Sequence, residues 1–171
     1  MATRAFKRIV ELKSIPEGAY VVKGKLLVSM KNSEASKVEE QTIKARLVAM
    51  GNVIFDKNLK VRSSLPVHDL WAPVCSMTGV RIVQARASAH RRRSEGIDLV
   101  AAYTQVKLGG KIPHFMIIPQ VVLDTLDPAD KAVFAELEQP VAKVENTIYG
   151  LGRSGLDFIY TFIAWLSINL W

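Results

Sequence analysis

Asp98 is the residue of this chain whose surroundings best suit it to chemistry. It follows the basic run His90-Arg91-Arg92-Arg93 and leads through Leu99 and Val100 into the small pair Ala101-Ala102. Tyr103 and then Gly109-Gly110 come next. A carboxylate entering small, β-prone residues leaves room beside it for a divalent ion, and magnesium takes hard oxygen donors rather than imidazoles. Phosphoryl chemistry at two metal ions needs at least two carboxylates, and residues 98–110 hold one. An aspartate near a strand end also serves as an ordinary turn or cap residue.

The other metal-ligating and nucleophilic types are scarce. The single cysteine, Cys75, excludes a disulfide framework and a cysteine-rich zinc site, and it fits a reducing compartment. His68, His90 and His114 are scattered without the spacing of a metal motif. Charge is unevenly spread: residues 1–93 hold 18 Lys/Arg against 7 Asp/Glu, and residues 94–171 hold 5 against 9. A basic half joined to an acidic half suits a polyanion-binding surface beside a region carrying carboxylates. Surface charge serving solubility is the competing explanation of the same bias.

The 171 residues, 49% hydrophobic and 23% charged, fall within the range of one domain with an ordinary core. Tyr20, Val21, Val22, Leu26, Leu27 and Val28 predict a strand over 19–30, and alternation predicts a second over 42–50. In the second, Ile43, Leu47 and Ala49 share one face, and Lys44, Arg46 and Val48 the other. The pair reads as an antiparallel ribbon with a basic face; a merely solvated strand face explains Lys44 and Arg46 equally well. Residues 51–68 read as irregular. Met77, Val80, Val83 and Ala87 predict an amphipathic helix within 74–90, ending where Arg91, Arg92 and Arg93 suit either the helix dipole or nucleic acid. A strand carrying Asp98 follows, then a short strand over 115–118. Asp127-Pro128 predicts a capped helix start, residues 141–149 read as extended, and 150–155 as a glycine-rich turn. Residues 156–171 read as an apolar helix containing Asp157, Ser167 and Asn169, too short and too polar for a membrane span.

Four segments, in order, resemble blocks of one family. Residues 44–51 (Lys-Ala-Arg-Leu-Val-Ala-Met-Gly) are similar to the KARLVAKG block of copia-type LTR-retrotransposon reverse transcriptases. Trp71-Ala72-Pro73-Val74 resembles that family's FAPV block, and residues 98–103 its D-V-K-T-A-F motif. Residues 144–151 (Val-Glu-Asn-Thr-Ile-Tyr-Gly-Leu) resemble its L-x-K-A-[IL]-Y-G-L block. The resemblance covers roughly residues 9–165.

The resemblance implies an α+β fold, the fingers and first part of the palm of a right-hand polymerase, with antiparallel strands and packed helices. Residues 1–70 would be a basic fingers ribbon and 71–110 the first palm segment, with a helix and the Asp98 strand. Residues 111–148 would be a second fingers segment, and 149–171 the start of a palm helix. It implies Asp98 as the first catalytic aspartate, binding magnesium with help from the Leu99 carbonyl. Lys44 or Arg46 would reach the triphosphate, and Tyr103 would exclude a 2′-hydroxyl. Arg153 would lie in the turn beside nucleotide and template. The expected partners are an RNA/DNA template-primer, deoxynucleotide triphosphates and the remainder of a polyprotein, with Arg91, Arg92 and Arg93 on nucleic acid and no membrane. The expected location is the cytoplasm, with the nucleus or a virus-like particle as further settings.

Departures accompany the likeness. The dipeptide Asp-Asp, the family's second carboxylate motif, does not occur in the 171 residues. Arg153 stands where the family has glutamine, and Asn146-Thr147 where it has Lys-Ala. The expectation is therefore a fragment or decayed copy of an RNA-directed DNA polymerase, inactive as an isolated chain. The alternatives are a non-catalytic nucleic-acid-binding relic and a small α+β interaction protein.

Overall fold

The computed structural model describes residues 6–33, 41–62, 75–96 and 98–169. Its described elements are seven strands and four helices in a mixed α+β arrangement. The strands are β1 (Phe6–Glu11), β2 (Tyr20–Lys31), β3 (Thr42–Ala49), β4 (Ile54–Phe55), β5 (Val61–Arg62), β6 (His114–Ile117) and β7 (Pro140–Val144). The helices are α1 (Met77–Ala89), α2 (Gln120–Leu123), α3 (Pro128–Ala135) and α4 (Ser154–Asn169).

The sheet runs β1-β7-β6-β2-β4-β5, with β3 attached to β2. Every pairing is antiparallel except β2 with β6. The twelve-residue β2 belongs to two structures. Its first residues, Tyr20 to Lys23, lie in the sheet beside β6, and Gly24 to Lys31 pair with β3 as a two-stranded ribbon. β-branched and aromatic residues at both ends of β2 favour the extended chain, as the sequence predicts.

Alternation sends successive side chains of the central strands to opposite faces of the sheet. Val21, Phe115 and Val141 are buried with Leu12, Ile15 and Ala19 on one face. Val22, Met116 and Val144 are buried on the other with Ala49, Ile54, Ile148 and Leu151. The sheet is thus covered on both sides by short irregular segments.

Helices α1 and α3 form where local signals place them, whereas α2 was not foreseen in the sequence. The Ser76 hydroxyl accepts the Gly79 N–H at 3.0 Å and starts α1. The Asp127 carboxylate accepts the Asp130 N–H at 2.9 Å, with Pro128 in the first turn, and starts α3. Helical spacing in α1 does not translate into burial: none of its residues is buried, and Met77, Ile82 and Val83 are each more than three-fifths exposed. The Trp71–Val74 block before it, residues 63–68 and Leu170-Trp171 lie outside the described residues. No described helix is long and apolar enough to cross a membrane.

The structure replaces the expected strand at Asp98. Residues 98–101 form a loop, and Ala102–Gln105 a turn of 3₁₀ helix. Ala101 takes a left-handed conformation (φ 52°). The Thr104 hydroxyl then donates to the Ala101 carbonyl (2.9 Å) and the Gln105 amide to the Val100 carbonyl (2.6 Å). These local bonds offer the backbone an alternative to a sheet ladder.

Candidate functional site

The 3₁₀ turn holds Tyr103, and two side chains from the segment after β7 clamp it. The buried Thr147 hydroxyl donates to the Tyr103 carbonyl, and the Asn146 amide donates to the Thr104 carbonyl at 2.7 Å. Backbone bonds continue the join: Thr147 N–H to Val106 O at 2.8 Å and Leu108 N–H to Glu145 O at 2.9 Å. A turn that short has few internal bonds, so its position is set by residues more than forty places away in sequence.

The Tyr103 ring meets two others edge to face, Tyr149 at 4.9 Å and Phe158 of α4 at 5.5 Å between centroids. Such pairs are favoured by the ring quadrupole. The Arg46 guanidinium lies over Tyr149, 5.5 Å from its centroid, within cation–π range. The same junction is fastened through the backbone, by Ala49 N–H to Tyr149 O (2.8 Å) and Gly51 N–H to Gly150 O (3.0 Å). Gly150 has a φ of 83°, and a β-carbon there would collide with the Ala49 carbonyl oxygen. Only glycine combines that conformation with so close an approach.

Register gives the ribbon two different faces. Leu26, Val28, Met30, Ile43, Ala45 and Leu47 fall on one, and Lys25, Lys31, Lys44 and Arg46 on the other. Lys44 and Arg46 are both exposed. The basic face expected from the sequence exists, and Arg46 is its member that reaches the aromatic group.

Arg153 is part-buried and bound to the buried Asp157 one helical turn on, its Nε donating to Oδ1 at 3.0 Å. The other Asp157 oxygen accepts the Gly109 N–H at 2.8 Å. The Ser154 hydroxyl both donates to the Ile148 carbonyl (2.6 Å) and accepts the Ile148 N–H (3.1 Å), pinning the start of α4 to the Tyr149 turn.

Asp98 and Leu99 lie in the exposed loop leading into the Tyr103 turn, and Arg91, Arg92 and Arg93 are exposed beyond α1. Asp98 makes no hydrogen bond or ion pair among the described residues. Leu99 borders a groove of about 270 Å³ between this loop and α4, walled by Ala102, Val106, Phe158, Phe162 and Trp165. Asp98 and the Leu99 carbonyl are hard donors of the kind magnesium takes. Among the described residues, however, no three His, Cys, Asp or Glu gather where they could hold a metal.

The structure thus joins Arg46 and Tyr103 through Tyr149, sets Arg153 nearby on α4, and leaves Lys44, Asp98 and Arg91–Arg93 at the surface. Sequence reasoning missed Asn146 and Thr147 as positioning residues, treating them only as departures from a family pattern. Two hydrogen-bonding side chains directly after an apolar strand were the available signal. It also missed Asp157 as the partner of Arg153, although their i, i+4 spacing on a helix was legible. No family model, curated protein or solved structure matches the chain.

Proposed function

We propose that this chain is the fingers and first palm part of a copia-type reverse transcriptase, and that by itself it holds a template-primer without extending it. The observation supporting this reading is that three separated segments sharing the family's motifs, 44–51, 98–103 and 144–151, are linked in space. Arg46, Ala49 and Gly51 meet Tyr149 and Gly150, and Tyr103 meets Thr147 and Tyr149. A site that uses all three would require that junction.

In this reading Lys25, Lys31, Lys44 and Arg46 engage phosphates along the ribbon, and Arg91–Arg93 add to the same field. Phosphate contacts supply affinity without reading sequence. Tyr103, held from behind by Thr147, presents an aromatic ring where bulk discriminates between sugars. Asp98 contributes one carboxylate, so the chain binds and does not polymerise.

The test pairs template-primer binding across a salt series with primer extension in magnesium. Affinity should fall steeply with salt, less steeply after Lys44→Ala or Arg46→Ala, and no extension should be seen. An affinity indifferent to salt would overturn the polyanion surface and favour a small α+β interaction protein. Extension abolished by Asp98→Asn would overturn the binding-only assignment.

A further inference from the structure

The half of the chain that is acidic overall contains one basic hollow. Of the five Lys/Arg in residues 94–171, Lys111 and Lys143 line a cleft of about 360 Å³ at the end of the β6–β7 pair. A third, Arg153, packs beneath Gly110, where an added β-carbon would lie 3.5 Å from its guanidinium. Two of the three cations already face a carboxylate: Lys143 pairs with Glu145 at 2.6 Å, and Arg153 with Asp157. Lys111 has no ion-pair or hydrogen-bond partner among the described residues.

The backbone adds donors of the same sign. Gly109 N–H is taken by Asp157, but the next three N–H groups, of Gly110, Lys111 and Ile112, meet no acceptor among the described residues. Gly110 has a φ of 93°, a left-handed residue within this run. Successive N–H groups around such a turn form a concavity that suits anions. The loop is held in place, because His114 Nδ1 lies 3.0 Å from the Ile112 carbonyl and His114 is buried.

We propose that the cleft formed by Gly110, Lys111, Ile112 and Lys143 is a binding site for a phosphate monoester, with Lys111 as its principal cation. A tetrahedral dianion can accept from several N–H groups and two ammoniums at once, which a chloride ion cannot. The cleft has room for a small phosphorylated molecule. This site is separate from the Arg46–Tyr149–Tyr103 junction and does not depend on the polymerase reading.

The test is an amide-resolved NMR titration of the full chain with inorganic phosphate, adenosine 5′-monophosphate, adenosine and a 5′-phosphorylated oligonucleotide, at constant ionic strength. Phosphate and the monophosphate should shift the Gly110, Lys111 and Ile112 amides saturably, and adenosine should not. Saturation by the oligonucleotide as well would place the phosphate at a nucleic-acid end; its absence would place it on a small molecule. Lys111→Ala should weaken binding by about tenfold, the loss of one charged hydrogen bond. Glu145→Gln removes a competing carboxylate and should tighten it, a gain that misfolding cannot imitate. Equal shifts with chloride, unchanged affinity in Lys111→Ala, or weaker binding in Glu145→Gln would each overturn the site. Affinity for a template-primer without terminal phosphates, measured on the Lys111→Ala variant, should stay unchanged, which separates this site's failure from failure of the polymerase reading.

Discussion

Thr147→Val removes one hydroxyl and almost no volume, and it tests whether the Tyr103 turn is held from behind. Thr147 is completely buried, its hydroxyl donates to the Tyr103 carbonyl, and its own N–H donates to Val106 at 2.8 Å. Valine keeps the N–H bond and the β-branched shape but leaves the Tyr103 carbonyl without that donor. The carbonyl keeps the Val106 N–H at 3.1 Å, so the loss is that of one hydrogen bond rather than of an acceptor's whole pairing, about 0.5–1.5 kcal/mol. The expected destabilisation is about 0.5–1.5 kcal/mol, which for a chain of this size lowers Tm by roughly 1–6 °C. Thermal unfolding by circular dichroism measures the total. The local effect is read from the Tyr103 and Tyr149 ring resonances, because loosening the turn should disturb their 4.9 Å edge-to-face contact. A Tm within half a degree of the parent (about 0.2 kcal/mol by the same conversion) would refute the clamp. So would a Tm loss with both ring environments unchanged, because the cost would then arise elsewhere.

Three further outcomes follow from the same structure. Gly150→Ala sets a β-carbon against the Ala49 carbonyl in a left-handed residue, so chemical denaturation should report a loss larger than the roughly 1–2 kcal/mol of the conformation alone; a loss below about 0.5 kcal/mol would mean the turn does not sit as described. Arg46→Ala removes the cation above Tyr149 and should cost about 0.5–1 kcal/mol in stability. It should also reduce the salt slope of duplex binding by about 0.9, and an unaltered slope would take Arg46 off the phosphate surface. The Lys60 N–H, helped by that of Asn58, holds the Asp56 carboxyl below the ordinary carboxylate range. The folded value is the lower one, so the stability it contributes is present above the ordinary range and is lost as pH falls through the folded value. A carboxyl NMR titration should place the Asp56 midpoint below the ordinary aspartate range, and Asp56→Asn should flatten the acid limb of stability; a midpoint at or above that range would contradict the turn geometry.

The chain's amino acids alone determined those elements whose cause is local. Asp127-Pro128 starts α3 because a carboxylate caps the first N–H groups and proline already has helical φ. The ribbon was legible because alternation forces Lys44 and Arg46 onto one face whatever the rest of the chain does. Spacing in α1 foretold a helix but not its burial, since periodicity specifies a face and says nothing about what packs there. The likeness of four segments to one family pointed to Arg46, Tyr103 and Arg153, yet not to what each of them touches: Tyr149 for the first two and Asp157 for the third.

Tertiary structure decided the rest, through groups far apart in sequence. Residues 98–105 carry enough β-prone character to read as a strand, but a ladder needs a neighbour. Thr104 and Gln105 satisfy the local carbonyls instead, and Thr147 and Asn146 secure the resulting turn. Tyr149 joins the basic ribbon to that turn only because Gly150 lets two backbones close to hydrogen-bonding distance. The basic hollow at Lys111 is equally invisible in a sequence whose second half is acidic. Net charge sums over residues, whereas a binding site depends on which few of them the fold brings together.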